Sequence, residues 1–205
     1  MFSTSNHAAE PSAWLRGTTG DLIRSQSANA GGVACNVTDM AGAAGMLDWR
    51  DVETGAPEIA WPGAARLSAA RVAMLGTLRR DGSPRISPIE PYLVNGRLLV
   101  GAMTWSAKAA DLGRDPRYVL HSTVTGPDSG EGELKLHGCA VEADTGIRAE
   151  VADAWWSAQP PGKAIVFVLR IGQALFVAWD MQRGVMTVRR WSPLGGYSHA
   201  ARTYP

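Results

Sequence analysis

The rhythm of apolar and polar positions divides the chain into two unequal parts. Residues 1–45 are rich in Ser, Ala, Gly, Thr and Asn and keep neither the period of two of a strand nor the 3.6 of a helix. This stretch reads as a disordered arm. From Met46 onward the pattern is that of a folded domain. A short helical piece is expected before Gly55 and a second over Ala64 to Arg71, with Pro62 and Gly63 breaking the chain between them. Trp49 and Trp61 are expected to lie as apolar lids over a barrel end, because rings of that size are usually buried for their area.

The run from Val72 to Val124 organises the remainder. Val72 to Leu78 is almost continuously apolar, as a strand covered on both faces would be. Asp81-Gly82 then supplies a hairpin turn, since such turns need positive φ. The second strand, Pro84 to Tyr92, sets Arg85, Ser87 and Ile89 against Ile86, Pro88 and Glu90. Its prolines cannot donate to a ladder, which places them at an edge, a bulge or a gap facing a cofactor. Asn95-Gly96 makes the next turn, and Arg97 to Met103 returns as a third strand. A short helix headed by Ser106 and Lys108 follows, stopped near Arg114 by Gly113 and Asp115-Pro116. Tyr118 to Val124 is the fourth strand.

Beyond a Gly-rich acidic loop, Glu133 to Glu142 alternates as a half-buried strand, and Thr145 to Ala158 carries apolar residues at helical spacing up to Pro160-Pro161. Ala164 to Ile171, Ala174 to Trp179 and Val185 to Trp191 read as further strands, with a loose tail from Ser192. The fold class expected is mainly β with minor α: an antiparallel split or closed barrel over residues 46–195 with two or three short helices, and a tail at 196–205.

Composition narrows the function classes. The 205 residues include 45% hydrophobic and 19% charged side chains with a net charge of +1, which suits a globular protein. That balance offers no broad electrostatic footprint for nucleic acid or an anionic membrane. No stretch approaches the roughly 18 apolar residues of a membrane span. Cys35 and Cys139 belong to neither a metal-spaced nor a CxxC pattern, so a reduced, cytoplasmic setting is expected.

Chemistry-bearing motifs are sparse. No nucleophile elbow, metal-binding His-Glu helix, P-loop or dinucleotide fingerprint occurs. The best anion site is Thr104-Trp105-Ser106-Ala107-Lys108, where hydroxyls, a cation and unpaired backbone N–H groups gather at a helix start. Two readings stay open: a phosphate site, or an ordinary Ser106 N-cap followed by a solvated Lys108.

Taken as a series, the strand, Asp-Gly turn, Arg-x-Ser-Pro strand, Asn-Gly turn, apolar strand, Ser-x-Lys helix and Arg-Asp-Pro-Arg segment resemble the pyridoxamine 5'-phosphate oxidase-like, FMN-binding split-barrel family. The match runs from about Ala64 to Glu142. That family also includes deazaflavin-dependent reductases and some haem-binding members. The resemblance implies that Arg85, Ile86, Ser87 and Pro88 run along the flavin ring, largely through backbone. Met103 and Thr104 would flank the ring and ribityl chain, and Ser106 and Lys108 would take the phosphate. It further implies a homodimer with the cofactor at the interface, where His121 or Ser122 would face the partner's cofactor, and a small-molecule substrate.

The Arg-x-His pattern of the vitamin B6 phosphate oxidases is missing, with only Arg189-Arg190-Trp191 in its region, so that substrate is not expected. FMN is the first cofactor choice. A deazaflavin coenzyme would need a further basic strip, for which Arg79, Arg80, Arg85 and Arg114 are candidates. Haem would need His121, His137 or His199 as axial ligand. The functional expectation is an oxidoreductase in which the bound cofactor carries the hard chemistry. A non-enzymatic flavin or haem carrier and an interaction module are the alternatives.

Overall fold

The computed structural model describes residues 45–124, 126 and 132–203, so the proposed N-terminal arm lies outside the described residues. In order, the elements are α1 (Trp49–Gly55), α2 (Pro57–Ala70), β1 (Ala73–Leu78), β2 (Pro84–Ile89), β3 (Pro91–Val94), β4 (Arg97–Met103), α3 (Ala107–Arg114), β5 (Arg117–Ser122), β6 (Glu133–Glu142), α4 (Thr145–Ala149), a 3₁₀ turn (Trp155–Ala158), β7 (Ala164–Asp180), β8 (Val185–Ser192) and β9 (Gly196–Thr203). All strand pairs are antiparallel, with the path β2-β1-β5-β6-β7-β4-β3 and a β8–β9 hairpin branching from β7.

Two features make this sheet a split barrel. β2 and β3 lie at opposite ends of the path, yet only Glu90 separates them in the chain. The covalent link draws the two ends together and curls the sheet on itself. β7, meanwhile, pairs with β6 along its length on one edge, while its other edge is shared by β4 at Ala164–Val168 and β8 at Ala174–Asp180. Leu47 fills the gap between them with reciprocal backbone bonds to Ile171.

The mainly β, antiparallel expectation holds, and several boundaries move. The expected strand Pro84 to Tyr92 divides at Glu90, because its halves pair with different partners. The two strands expected on either side of Gly172 are one, since Gly172 is accommodated as a bulge: His137 pairs with Gln173 and Gly138 with Ile171. At Gly138 a Cβ would stand 1.8 Å from the Arg170 carbonyl oxygen, so only glycine fits that crossing. The helix expected through Ala158 ends at Ala149, and Trp156 instead packs in a 3₁₀ turn over the outer face of β4 and β7 with Leu99, Val166 and Val168. The segment expected as a tail forms β9, paired with β8 from Ser192 to Val185.

Pro62 does not break α2, which runs through it and buries Ile59, Ala60, Gly63 and Leu67. Trp49 is buried at 1% exposure as expected, but Trp61, on the opposite face of α2, is 73% exposed and is no lid. β1 is covered on one face only: Ala73, Leu75 and Thr77 are buried, whereas Met74 remains 37% exposed. Cys139, expected as a reduced thiol, is disulfide-bonded, and Cys35 lies outside the described residues. Sequence spacing carries no information on which cysteines meet in space, so the cysteine pattern no longer argues for a reducing compartment. Among the described residues no helix is long and apolar enough to cross a membrane.

Candidate functional site

The residues singled out by sequence fall on two adjoining pieces, β2 and the β4–α3 connection. On β2 the pleat sends neighbours to opposite faces. Arg85 and Ser87 stand in register with Thr77 and Leu75, whose side chains are buried. Ile86 and Pro88 stand in register with Gly76 and Met74 on the outer face. The four β2 residues therefore do not share one surface as side chains. What they share is the outer edge of β2, which pairs with β1 only and leaves backbone groups on the other side outside any ladder.

Arg85 has a structural role that its sequence position did not disclose. Its Nε donates to Asp111 Oδ2 at 2.6 Å, alongside Thr77 Oγ1 at 3.0 Å, while Arg114 Nη2 donates to Asp111 Oδ1 at 3.2 Å. Arg114 also donates to the Leu78 carbonyl. Asp111 is 3% exposed. Burial pushes its carboxyl upward, but the bonds from Arg85, Thr77 and Arg114 outweigh burial and hold it below its ordinary value. One carboxylate thus ties α3 to β1 and β2. Sequence reasoning missed Asp111 because it sits mid-helix in the polar-looking stretch Ala107–Arg114, with no signal that its helical face is buried.

That tie fixes the helix start. Ser106 is the N-cap, with Oγ accepting from Ala109 N at 3.3 Å. Thr104 is anchored by its N–H to the Lys163 carbonyl at 3.1 Å. Met103 ends β4 opposite Ala164. Lys108 is half-buried and makes no ion pair or hydrogen bond among the described residues. Trp105, between Thr104 and Ser106, is 79% exposed. An uncommitted cation and first-turn N–H groups at this helix start can receive an anion.

The outer face of β2, β1 and β5 lies across these strands from the face on which Arg85 and Thr77 meet Asp111. Ile86, Gly76 and Val119 form one cross-strand row, with Ile86 70% and Val119 39% exposed. Val119 Cγ1 closes over Gly76, where a Cβ would stand 2.5 Å from it, so glycine is what lets that methyl approach the strand. The next row is Pro88, Met74 and His121. His121 is engaged at both ring nitrogens, Nδ1 with the Ser122 carbonyl at 2.6 Å and Nε2 with Glu133 at 3.3 Å. Ser122 is buried and its Oγ accepts from Leu134 N, so it does not face outward as the resemblance implied.

No protein-family model matches the sequence, and no curated protein sequence matches it significantly. Solved structures do. A pyridoxamine 5'-phosphate oxidase-related, FMN-binding protein of Nostoc punctiforme superposes with a TM-score of 0.54 at 13% identity, over 72% of this chain and 95% of that one. PhzG of Burkholderia lata, solved with tetrahydrophenazine-1-carboxylic acid, gives 0.51 at 15% identity over 68% and 85%. A heme-binding protein of Mycobacterium smegmatis gives 0.47 at 15% identity over 70% and 88%. The chain has the split-barrel fold of the pyridoxamine 5'-phosphate oxidase-related proteins.

Proposed function

We propose that the protein is an oxidoreductase that holds FMN and passes a hydride or electrons to a small organic substrate, acting as a homodimer with the cofactor between the two copies. The observation that carries this reading is Lys108, a cation uncommitted among the described residues at the start of a helix that Asp111 ties to β2. Lys108 and the N–H groups behind Ser106 would hold the phosphate. Thr104 and Met103 would flank the ribityl chain. The exposed edge of β2 would offer backbone groups to the ring edge.

Bound flavin supplies the electron and hydride chemistry; the chain supplies position, charge and exclusion of water. Ile86, Met74 and Val119 form a solvent-facing apolar surface of the sort that a second copy would cover. One observation ranks a deazaflavin coenzyme below FMN. Of the four arginines available to a deazaflavin's acidic tail, Arg85 and Arg114 are committed to Asp111, leaving Arg79 and Arg80. Haem ligation through His121 Nε2 would displace Glu133 and leave Nδ1 on the Ser122 carbonyl, and His137 and His199 are exposed, so haem stands as the alternative cofactor. A vitamin B6 phosphate is not the proposed substrate, since Arg189 and Arg190 stand without the Arg-x-His pattern.

The test is an absorbance titration of purified protein with FMN, run against Lys108→Ala. Saturable uptake by the native chain, weakened roughly tenfold or more in the variant and increasingly with salt, is the expected result. Failure of the folded native chain to take up FMN overturns the proposal. Uptake with neither reduction of the bound flavin by NADH or NADPH nor reoxidation of the dithionite-reduced flavin by a small organic acceptor leaves a carrier in place of an enzyme.

A further inference from the structure

A cleft of about 530 Å³ opens where the end of α2 meets the β2–β3 junction. It shares no residue with the FMN site proposed above. Its walls include Leu67, Val72 and Leu93, together with two opposite charges, Arg71 and Glu90. The volume suits a small organic molecule.

Arg71 ends α2 in the left-handed conformation, with φ 57° and ψ −2°. Glycine or asparagine adopts that conformation with least strain, so a bulky side chain there runs against local preference. Its guanidinium makes no hydrogen bond or ion pair among the described residues. Glu90 is the single residue joining β2 to β3 and is followed by Pro91, so its backbone is confined. The Tyr92 phenol donates to Glu90 Oε2 at 3.2 Å, and Tyr92 is itself seated edge-on against Trp156 at 4.6 Å. Oε1 of Glu90 has no partner among the described residues. Arg71 and Glu90 therefore line one cleft without pairing with each other, above an apolar wall.

A cation, an anion and an apolar surface presented separately are complementary to one ligand chemistry. We propose that this cleft binds a small zwitterion of the apolar α-amino acid class, its carboxylate on Arg71, its ammonium on Glu90 and its side chain against Leu67, Val72 and Leu93.

The experiment is calorimetric titration of the full chain with L-leucine, in the presence and absence of FMN. Arg71→Asn is the main variant, because asparagine tolerates the left-handed conformation and keeps the helix end; Glu90→Gln is the second. Saturable binding that weakens about tenfold or more in each variant, with unchanged thermal unfolding, supports the proposal. Isocaproate, lacking the ammonium, and isoamylamine, lacking the carboxylate, should each bind more weakly than L-leucine. The proposal is overturned by no saturable L-leucine binding to folded protein, by equal affinity in Arg71→Asn or Glu90→Gln, or by isocaproate or isoamylamine binding as tightly as L-leucine. Leucine uptake by a chain that takes no FMN would leave this site standing and remove the flavin reading, so the two failures are separable.

Discussion

Replacing Asp111 with alanine tests the mechanical link between the barrel and the α3 start. The substitution removes the acceptor of three hydrogen bonds, from Thr77, Arg85 and Arg114, at a position 3% exposed. Breaking a fully buried ion pair by removing one partner costs about 3–5 kcal/mol. Here the Arg85 and Arg114 side chains are 27% and 34% exposed, so water recovers part of the loss. The net expectation is about 2–3 kcal/mol, or roughly 5–10 °C in melting temperature for a chain of this size.

The sign of the pH dependence follows from the depressed carboxyl. A group whose folded pKa lies below its ordinary 3.8 contributes stability that is whole above that value and drains away as pH falls through the folded pKa. The gap between the native chain and Asp111→Ala should therefore be widest near about pH 7 and narrow steadily below about pH 4. Urea unfolding followed by tryptophan fluorescence reads both quantities. A difference below about 0.5 kcal/mol, or one that is constant down to about pH 2, would show that the arginines gain nothing from Asp111 and refute the reasoning. Because the same carboxylate holds α3, the variant should also lose FMN affinity even though it removes no proposed contact.

Gly138→Ala should cost more than about 4 kcal/mol or prevent folding, since its methyl would meet the Arg170 carbonyl at 1.8 Å; the yield of soluble protein and its melting curve decide. Ser106→Ala removes the α3 N-cap and should cost about 1 kcal/mol in urea unfolding while leaving Lys108 in place. Ile86→Glu puts a charge on the 70% exposed outer face, so a dimer seen by light scattering in the native chain should become monomeric with little loss of monomer stability.

The legible parts of this fold are those governed by neighbours in the chain. Asp81-Gly82 and Asn95-Gly96 announce their turns because the backbone there requires positive φ, with Gly82 at 82°, Asn95 at 49° and Gly96 at 75°. The apolar β4 run and the Ser106-headed α3 are read for the same reason, and they place Met103, Thr104, Ser106 and Lys108 on one continuous connection. The match in the order of these elements was enough to name the fold that the structural comparison then supported.

What local pattern could not supply is partnership. The alternation from Pro84 to Tyr92 is compatible with a single strand, and only the pairing of its halves with β1 and β4 breaks it at Glu90 and bends the sheet. Gly196–Thr203 has too little apolar contrast to announce a strand and becomes one by hydrogen bonding to β8. Trp49 and Trp61 look equivalent in sequence, yet one is buried and the other exposed according to which helical face meets the barrel. The Arg85 side chain is bound to Asp111, a residue 26 positions away, a partnership that no local pattern announces. Sequence determined the turns, the strand-rich class and the chemistry available at the start of α3. The tertiary structure decided which side chains face inward and which charges are already spent, because both depend on groups that meet only after the sheet has closed.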